Sequence, residues 1–290
     1  MDLTEPTHDT IKNHCQKMNA EKEFVNNDDG DDSSVDSCLE IINFQSIFDH
    51  KNGIETGISC SFDGCRTLQL STLLEEQDIA PIFSGAEWAG TRVWHAAIRL
   101  LDYMYNEKFS KDNIAYSIMN GKSRPSLLEL GCGLGVPGMI ASLRGATTVL
   151  SDQESLLDQL RRNLENNFTT EELFGSNSII KACTLDWSRE NVRALLEENG
   201  NKDGFDVVIH CDCVFEPLYG KSWMMLVDVI DELLSFKKNT VVLSSMERRN
   251  GDGINNFLQR MNSAPNISFT KLVYEDRANN IQIYESGNTK

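Results

Sequence analysis

The chain predicts an α/β protein built on a doubly wound, mostly parallel sheet. Three observations carry this expectation. The apolar segment Leu127-Leu-Glu-Leu130 runs into Gly131, Gly133 and Gly135 and then Pro137, the pattern of a strand, a tight turn and the first turn of a helix. Beyond it, short apolar runs alternate with stretches of helical periodicity almost to the last residue. Finally, the 290 residues are 40% hydrophobic and 24% charged, with no apolar run near the ~20 residues of a membrane span.

Taken in order, residues 1–38 are polar and acidic around Asn26-Asn-Asp-Asp-Gly-Asp-Asp-Ser-Ser34, and a disordered tail is expected because nothing there can bury a core. A hairpin-and-helix extension is expected over 39–125, packed on a core at 126–290. Ile58–Phe62 and Arg66–Leu70 alternate around Asp63-Gly64, as a β-hairpin does. Gly85–Trp94 reads as a loop leading to a helix on which Val93, Trp94, Ala97, Leu100, Leu101 and Met104 share a face. A polar connector then reaches Pro125.

In the core, a helix over Val136–Leu143 precedes a strand at Thr147–Leu150, which ends in Ser151-Asp152. Leu156, Leu157, Leu160, Leu164 and Phe168 mark the next helical face, and a strand near Ser178–Cys183 ends in Leu185-Asp186-Trp187. A helix near Asn191–Glu198 is followed by the buried strand Phe205–Cys211 and then Asp212. Trp223, Leu226, Val227, Ile230 and Leu234 mark a further helix. Thr240–Ser244 is a fifth strand, Gly253–Met261 a helix, and Ile267–Tyr274 with Asn280–Tyr284 a closing pair of strands that can add an antiparallel member.

Net charge is −17, and residues 1–80 alone hold 17 Asp or Glu against 5 Lys or Arg. Such a chain is a poor match for phosphate backbones, so direct nucleic-acid binding is not expected. The eight cysteines lack the spacing of a zinc site and read as small buried thiols. With no signal-peptide pattern at Met1-Asp-Leu-Thr-Glu5, a cytosolic or nuclear monomer is expected, with no membrane association.

The glycine turn implies a nucleotide-type ligand at a helix N-terminus. Its spacing alone leaves a dinucleotide open, since Gly133-Leu-Gly135-Val-Pro-Gly138 fits GxGxxG. Glu129 shifts the balance. A carboxylate two residues before the turn is unwelcome beside a pyrophosphate but suits an ammonium or sulfonium, and S-adenosylmethionine carries both. Asp152, ending the next strand, can accept from both ribose hydroxyls; helix capping is its alternative reading. Asp186 and Trp187 can edge and stack on adenine, or serve as a capping acid and a core Trp. Cys132 within the turn and Gln153 after Asp152 complete the expected lining.

This ordered set resembles the class I, seven-strand S-adenosylmethionine-dependent methyltransferases. It comprises Trp94, Glu-x-Gly-x-Gly-x-Gly at 129–135, Asp152, Leu-Asp-Trp at 185–187 and Asp-x-x-Phe at 212–215. More narrowly it is similar to the methyltransferase family 16 group, whose characterised members mostly methylate lysines of non-histone proteins. The resemblance implies a Rossmann-like sheet of order 3-2-1-4-5-7-6 with strand 7 antiparallel. It also implies that Trp94 packs on the cofactor, that Gly131 and Gly133 lie under its methionine part, and that Cys211 meets it through the backbone. Asp212 matches the acid of the family's Asp-x-x-Tyr signature and is the expected catalytic residue, aligning the target amine.

The family tyrosine is Phe215 here, and Tyr219 can supply a hydroxyl if its segment is helical. Glu216 is a second carboxylate near the same rim. Protein lysine is thus the first expected acceptor. Protein arginine or histidine, a small molecule, or a silent S-adenosylmethionine-binding module remain alternatives. A base methyltransferase fits less well, because Asp212-Cys-Val-Phe215 lacks the prolines of the amino-group type.

Overall fold

A computed structural model describes residues 41–49, 54–72 and 89–289. The acidic tail expected over residues 1–38 and the 85–88 half of the loop before Trp94 lie outside the described residues.

Three antiparallel strands come first, β1 (Ile42–Asp49), β2 (Ile54–Phe62) and β3 (Leu68–Ser71). The turn between β2 and β3 sits where Asp63-Gly64 was expected, with Gly64 at φ 72°. Then follow α1 (His95–Tyr105), α2 (Ile114–Gly121), β4 (Ser126–Leu130), α3 (Val136–Leu143), β5 (Thr147–Asp152) and α4 (Glu154–Asn167). The next group is α5 (Thr170–Phe174), β6 (Ile180–Thr184), α6 (Arg189–Glu198), β7 (Val207–Cys211) and α7 (Glu216–Tyr219). The chain closes with α8 (Trp223–Phe236), β8 (Val241–Glu247), α9 (Ile254–Met261), β9 (Phe269–Asp276) and β10 (Ile281–Gly287).

The large sheet runs β6-β5-β4-β7-β8-β10-β9. In its own strand numbers that is 3-2-1-4-5-7-6, and β10 is antiparallel to both neighbours, as the resemblance implied. Both faces of the sheet are covered, which explains why its strands read as apolar runs without polar alternation. Leu127, Val207, Ile209 and Leu243 face one cluster, with Leu100, Leu101, Met139 and Ile140 from α1 and α3. Their neighbours Leu128, Leu130, Val208 and Val242 face the other, with Leu195, Leu226, Ile230 and Phe257 from α6, α8 and α9. Leu127, Leu128 and Leu130 are fully buried, each contributing on the order of 1.5–3 kcal/mol by burial.

At the amino ends of β4 and β7, Asp206 gathers four donors. Lys122 Nζ lies at 2.6 Å, Lys237 Nζ at 2.7 Å, the Ser126 amide at 2.8 Å and the Ser126 hydroxyl at 3.0 Å. Burial works against its charge, but the two ammonium groups and the Ser126 donors hold its carboxyl well below the usual range. This knot fixes the register of the two central strands at the end away from the glycine turn.

The small sheet is attached by side chains. Asn167 on α4 accepts the Gln69 amide at 2.7 Å and donates to the Gln69 carbonyl at 2.8 Å. One turn earlier, Asn163 accepts the Ser71 amide at 2.8 Å and donates to its carbonyl at 3.1 Å. The two carboxamides thus act as a further strand along the edge of β3, satisfying groups that an open edge leaves unpaired.

The stretch read as a polar connector before Pro125 is more ordered than expected. It holds a 3-10 turn (Glu107–Phe109) and α2, whose Asn113 cap accepts from the Tyr116 amide at 2.8 Å. The short α5 was also unforeseen, though Thr169 and Glu172 form its capping box.

Candidate active site

At the carboxyl ends of β4, β5 and β7, where the strand order reverses, the chain forms a cleft of about 500 Å³. The structure brings to its wall every site residue expected from the sequence: Trp94, Glu129, Gly131, Cys132, Gly133, Asp152, Gln153, Asp186, Trp187, Cys211 and Asp212.

The glycine turn shapes its floor. Gly131 and Gly133 sit at φ 59° and 52°, in the left-handed region. A Cβ on Gly131 would lie 2.7 Å from Cys213 Sγ, and one on Gly133 would lie 3.0 Å from the Gly90 carbonyl oxygen. Asp152 Oδ2 accepts the Gly133 amide at 2.7 Å and Oδ1 the Gln153 amide at 2.8 Å, so the end of β5 locks the turn. Each oxygen retains lone-pair capacity. Burial pushes the Asp152 carboxyl above its ordinary range against these two amides.

Glu129 is 2% exposed, and its Oε2 accepts the Gly138 amide in the first turn of α3 at 2.8 Å. Burial raises its carboxyl to about 8, the Gly138 bond opposing and Asp152 adding to the rise. Sequence reading aimed this residue at the ligand; the structure adds that it also joins strand to helix.

Asp186 is exposed, and Ser188 rather than Asp186 caps α6. Trp187 is half-buried on the cleft wall, 3.5 Å from where a Gly131 Cβ would be. Trp94 precedes α1 and donates from Nε1 to the Ala89 carbonyl at 3.1 Å. Cys132, Cys211 and Cys213 are free thiols whose burial pushes them well above the ordinary range, so they serve as inert lining.

Asp212 follows β7 with φ 55°, a conformation Asp tolerates better than most residues. Its amide donates to the Ser245 carbonyl at 2.9 Å and its Oδ1 accepts the Glu247 amide at 2.9 Å, holding it against β8. Its Oδ2 is ion-paired with Arg249 Nη2. Burial raises the carboxyl and Arg249 draws it down, leaving a net upward shift. Arg249 was not anticipated: in sequence it is one of two arginines in a polar turn, and only the fold carries it back over Asp212.

Two further acceptor-side residues resolve. Glu216 Oε1 accepts from Trp223 Nε1 at 2.8 Å, and Glu216 is not among the residues lining the cleft. Because α7 is helical, Tyr219 reaches the cleft wall. Its hydroxyl makes no hydrogen bond with any described residue, and burial, reinforced by Cys213, Asp212 and Asp152, raises it above the ordinary range.

The lining suits a cationic nucleoside without phosphate. Glu129, Asp152, Asp186 and Asp212 face it against Arg92 as the lone Lys or Arg among the described lining residues. A glycine cradle that an added Cβ would fill, the Asp152 carboxylate and the half-buried Trp187 complete the lining.

Fold and site together define a class I S-adenosylmethionine-dependent methyltransferase. A family model described as lysine methyltransferase matches residues 78–264, and the chain belongs to that family. It is 26% identical over 212 residues to EEF1A lysine methyltransferase 3 of Mus musculus, covering 73% of this chain and 78% of the relative. It is 42% identical over 127 residues to Secreted RxLR effector protein 48 of Plasmopara viticola, covering 43% of this chain and 64% of the effector. A solved SAM-dependent methyltransferase from Agrobacterium tumefaciens superposes with a TM-score of 0.47 at 9% identity, over 83% of this chain and 72% of that one.

Proposed function

We propose that the protein methylates the ε-amine of a lysine in a protein other than a histone. The observation that most supports this is the position of Asp212, at the carboxyl end of β7 on the wall of the cleft it shares with Asp152 and the glycine turn.

When bound, S-adenosylmethionine supplies an electrophilic methyl group on a sulfonium. Asp152 would hold its ribose hydroxyls, Glu129 would supply negative charge, and Trp187 and Trp94 would offer flat faces beside it. Methyl transfer is an in-line displacement, so positioning supplies most of the rate. A lysine amine of pKa ~10.4 must also lose its proton, at a cost of roughly 4 kcal/mol near pH 7.5. Asp212 orients that amine by accepting its hydrogen bond, and its upward-shifted carboxyl makes it a better proton acceptor than an exposed aspartate. The Tyr219 hydroxyl stands in for the one that Phe215 lacks. Leu218, Ser222 and the half-exposed Met225 form a largely apolar ledge at the mouth for the substrate backbone.

We place the reaction in the cytosol or nucleus, consistent with six described cysteines that are free thiols. Incubating the protein with radiolabelled S-adenosylmethionine and a lysate, then hydrolysing the labelled species, tests the reading. Methyl-lysine in protein is the expected product. Label confined to nucleic acid, metabolites or methylarginine refutes it.

A further inference from the structure

The ion pair on Asp212 is one wall of a small box. The Arg249 guanidinium carbon lies 4.4 Å from the Phe215 ring centroid and 5.7 Å from that of Trp94, while its Nη2 meets the Asp212 carboxylate. A carboxylate with two aromatic faces is the chemistry that binds an organic cation. Trp94 and Asp212 both line the cleft, so two walls of the box are shared with the space where a target amine is to be held.

Its present occupant is incompletely satisfied. Arg249 Nε is buried and makes no hydrogen bond with any described residue; Glu247 Oε1 is 3.9 Å away. Guanidinium binds best through a paired fork, and here one prong lacks a partner. Arg249 sits on the 248–253 turn between β8 and α9, which carries Gly251 and Gly253 at φ 70° and 83°. The Arg249 amide is bonded at 3.0 Å to Asp252 within that turn. The side chain can therefore leave Asp212 while its backbone stays anchored.

We propose that Asp212, Trp94 and Phe215 form the subsite for the substrate ammonium, and that Arg249 is an internal competitor which the incoming cation must displace. This rests on the lysine-methylation reading above and extends it to selectivity. A free amine or weakly docked side chain fails to dislodge Arg249, whereas a lysine delivered by a docked protein surface succeeds. Phe215 in place of tyrosine fits this arrangement, since an unsubstituted ring stacks on the guanidinium without competing for its donors. If the box is open a tenth of the time or less, apparent affinity for any external cation falls at least tenfold.

The test uses the full chain saturated with S-adenosylhomocysteine, so that no turnover occurs, and n-butylammonium and n-butyltrimethylammonium as probes in calorimetry. Wild type should bind both weakly. Arg249→Met should bind them at least tenfold more tightly, and adding Phe215→Leu should remove most of that gain. Arg249→Gln removes the competing cation while keeping a polar side chain and serves as the second variant if Met impairs folding; it should also tighten probe binding. Unchanged probe affinity in whichever variant retains S-adenosylhomocysteine binding overturns the proposal. Tightened probe binding in a protein that methylates no lysine would keep this cation subsite and remove the functional reading. Lysine methylation without any tightening would do the reverse.

Discussion

Glu129 Oε2 accepts the backbone N–H of Gly138 at 2.8 Å, tying the last turn-ward residue pair of β4 to the first turn of α3. One buried carboxyl thus closes an otherwise unpaired helix donor and borders the space for the cofactor cation. Glu129→Gln retains an acceptor for Gly138 but removes the charge. It should fold normally and weaken S-adenosylmethionine binding about tenfold or more, a charge-assisted contact being worth about 1.5–3 kcal/mol. Calorimetry on the two proteins checks this, and equal affinity would assign Glu129 to the fold alone.

Stability should respond to pH from two directions. Glu129, raised to about 8, and Asp152 and Asp212, raised in direction, hold protons more tightly folded than unfolded. Their contribution is full below the ordinary carboxylate range and is lost as pH rises through their folded values. Asp206 is the opposite case: its stabilisation is present above the ordinary range and is lost as pH falls toward its folded value. The buried His210, held down to about 3, adds a rise in stability up to the ordinary histidine range. The decline should therefore emerge only between that range and about pH 8 in urea unfolding of the cofactor-free protein, and Glu129→Gln should flatten part of it. A stability that climbs over this window contradicts the assignment.

Tyr219 stands on the cleft wall with a hydroxyl unbonded among the described residues. Tyr219→Phe should leave cofactor binding unchanged and lower kcat by about 10- to 100-fold, in the range of a lost hydrogen bond that acts in the transition state. An unaltered kcat removes the hydroxyl from the mechanism.

Asn167 carries no catalytic assignment, and its carboxamide pairs with both backbone groups of Gln69. Asn167→Ala should cost about 1–2 kcal/mol for two partly exposed hydrogen bonds, read as a lowered Tm, with methyl transfer unchanged at permissive temperature.

What was legible in the sequence is what local physics dictates. Gly131 and Gly133 announce a left-handed turn because no other residue accepts those angles cheaply, and the buried strand around Leu127 and Leu128 is apolar because two helical layers cover it. The order of acids after successive strands placed Asp152 and Asp212 on one cleft, since parallel strands bring their carboxyl ends together. Long-range partners were not legible. Nothing near Asn163 or Asn167 reveals that they face a strand some ninety residues away, and the polar run around Arg249 reads as an ordinary turn. The five-residue α5 also escaped, being too brief to establish a period, and α2 was hidden in a run read as a polar connector.

The most direct measurement compares wild type with Asp212→Asn at saturating S-adenosylmethionine, assaying methyl-lysine in lysate protein and cofactor binding on the same samples. Wild type should form methyl-lysine, and the variant should bind the cofactor within about threefold of wild type while losing at least about a hundredfold in transfer, the scale of a lost acid–base group. A variant that methylates lysine as wild type does, or a wild type whose label never reaches protein lysine, would contradict the account.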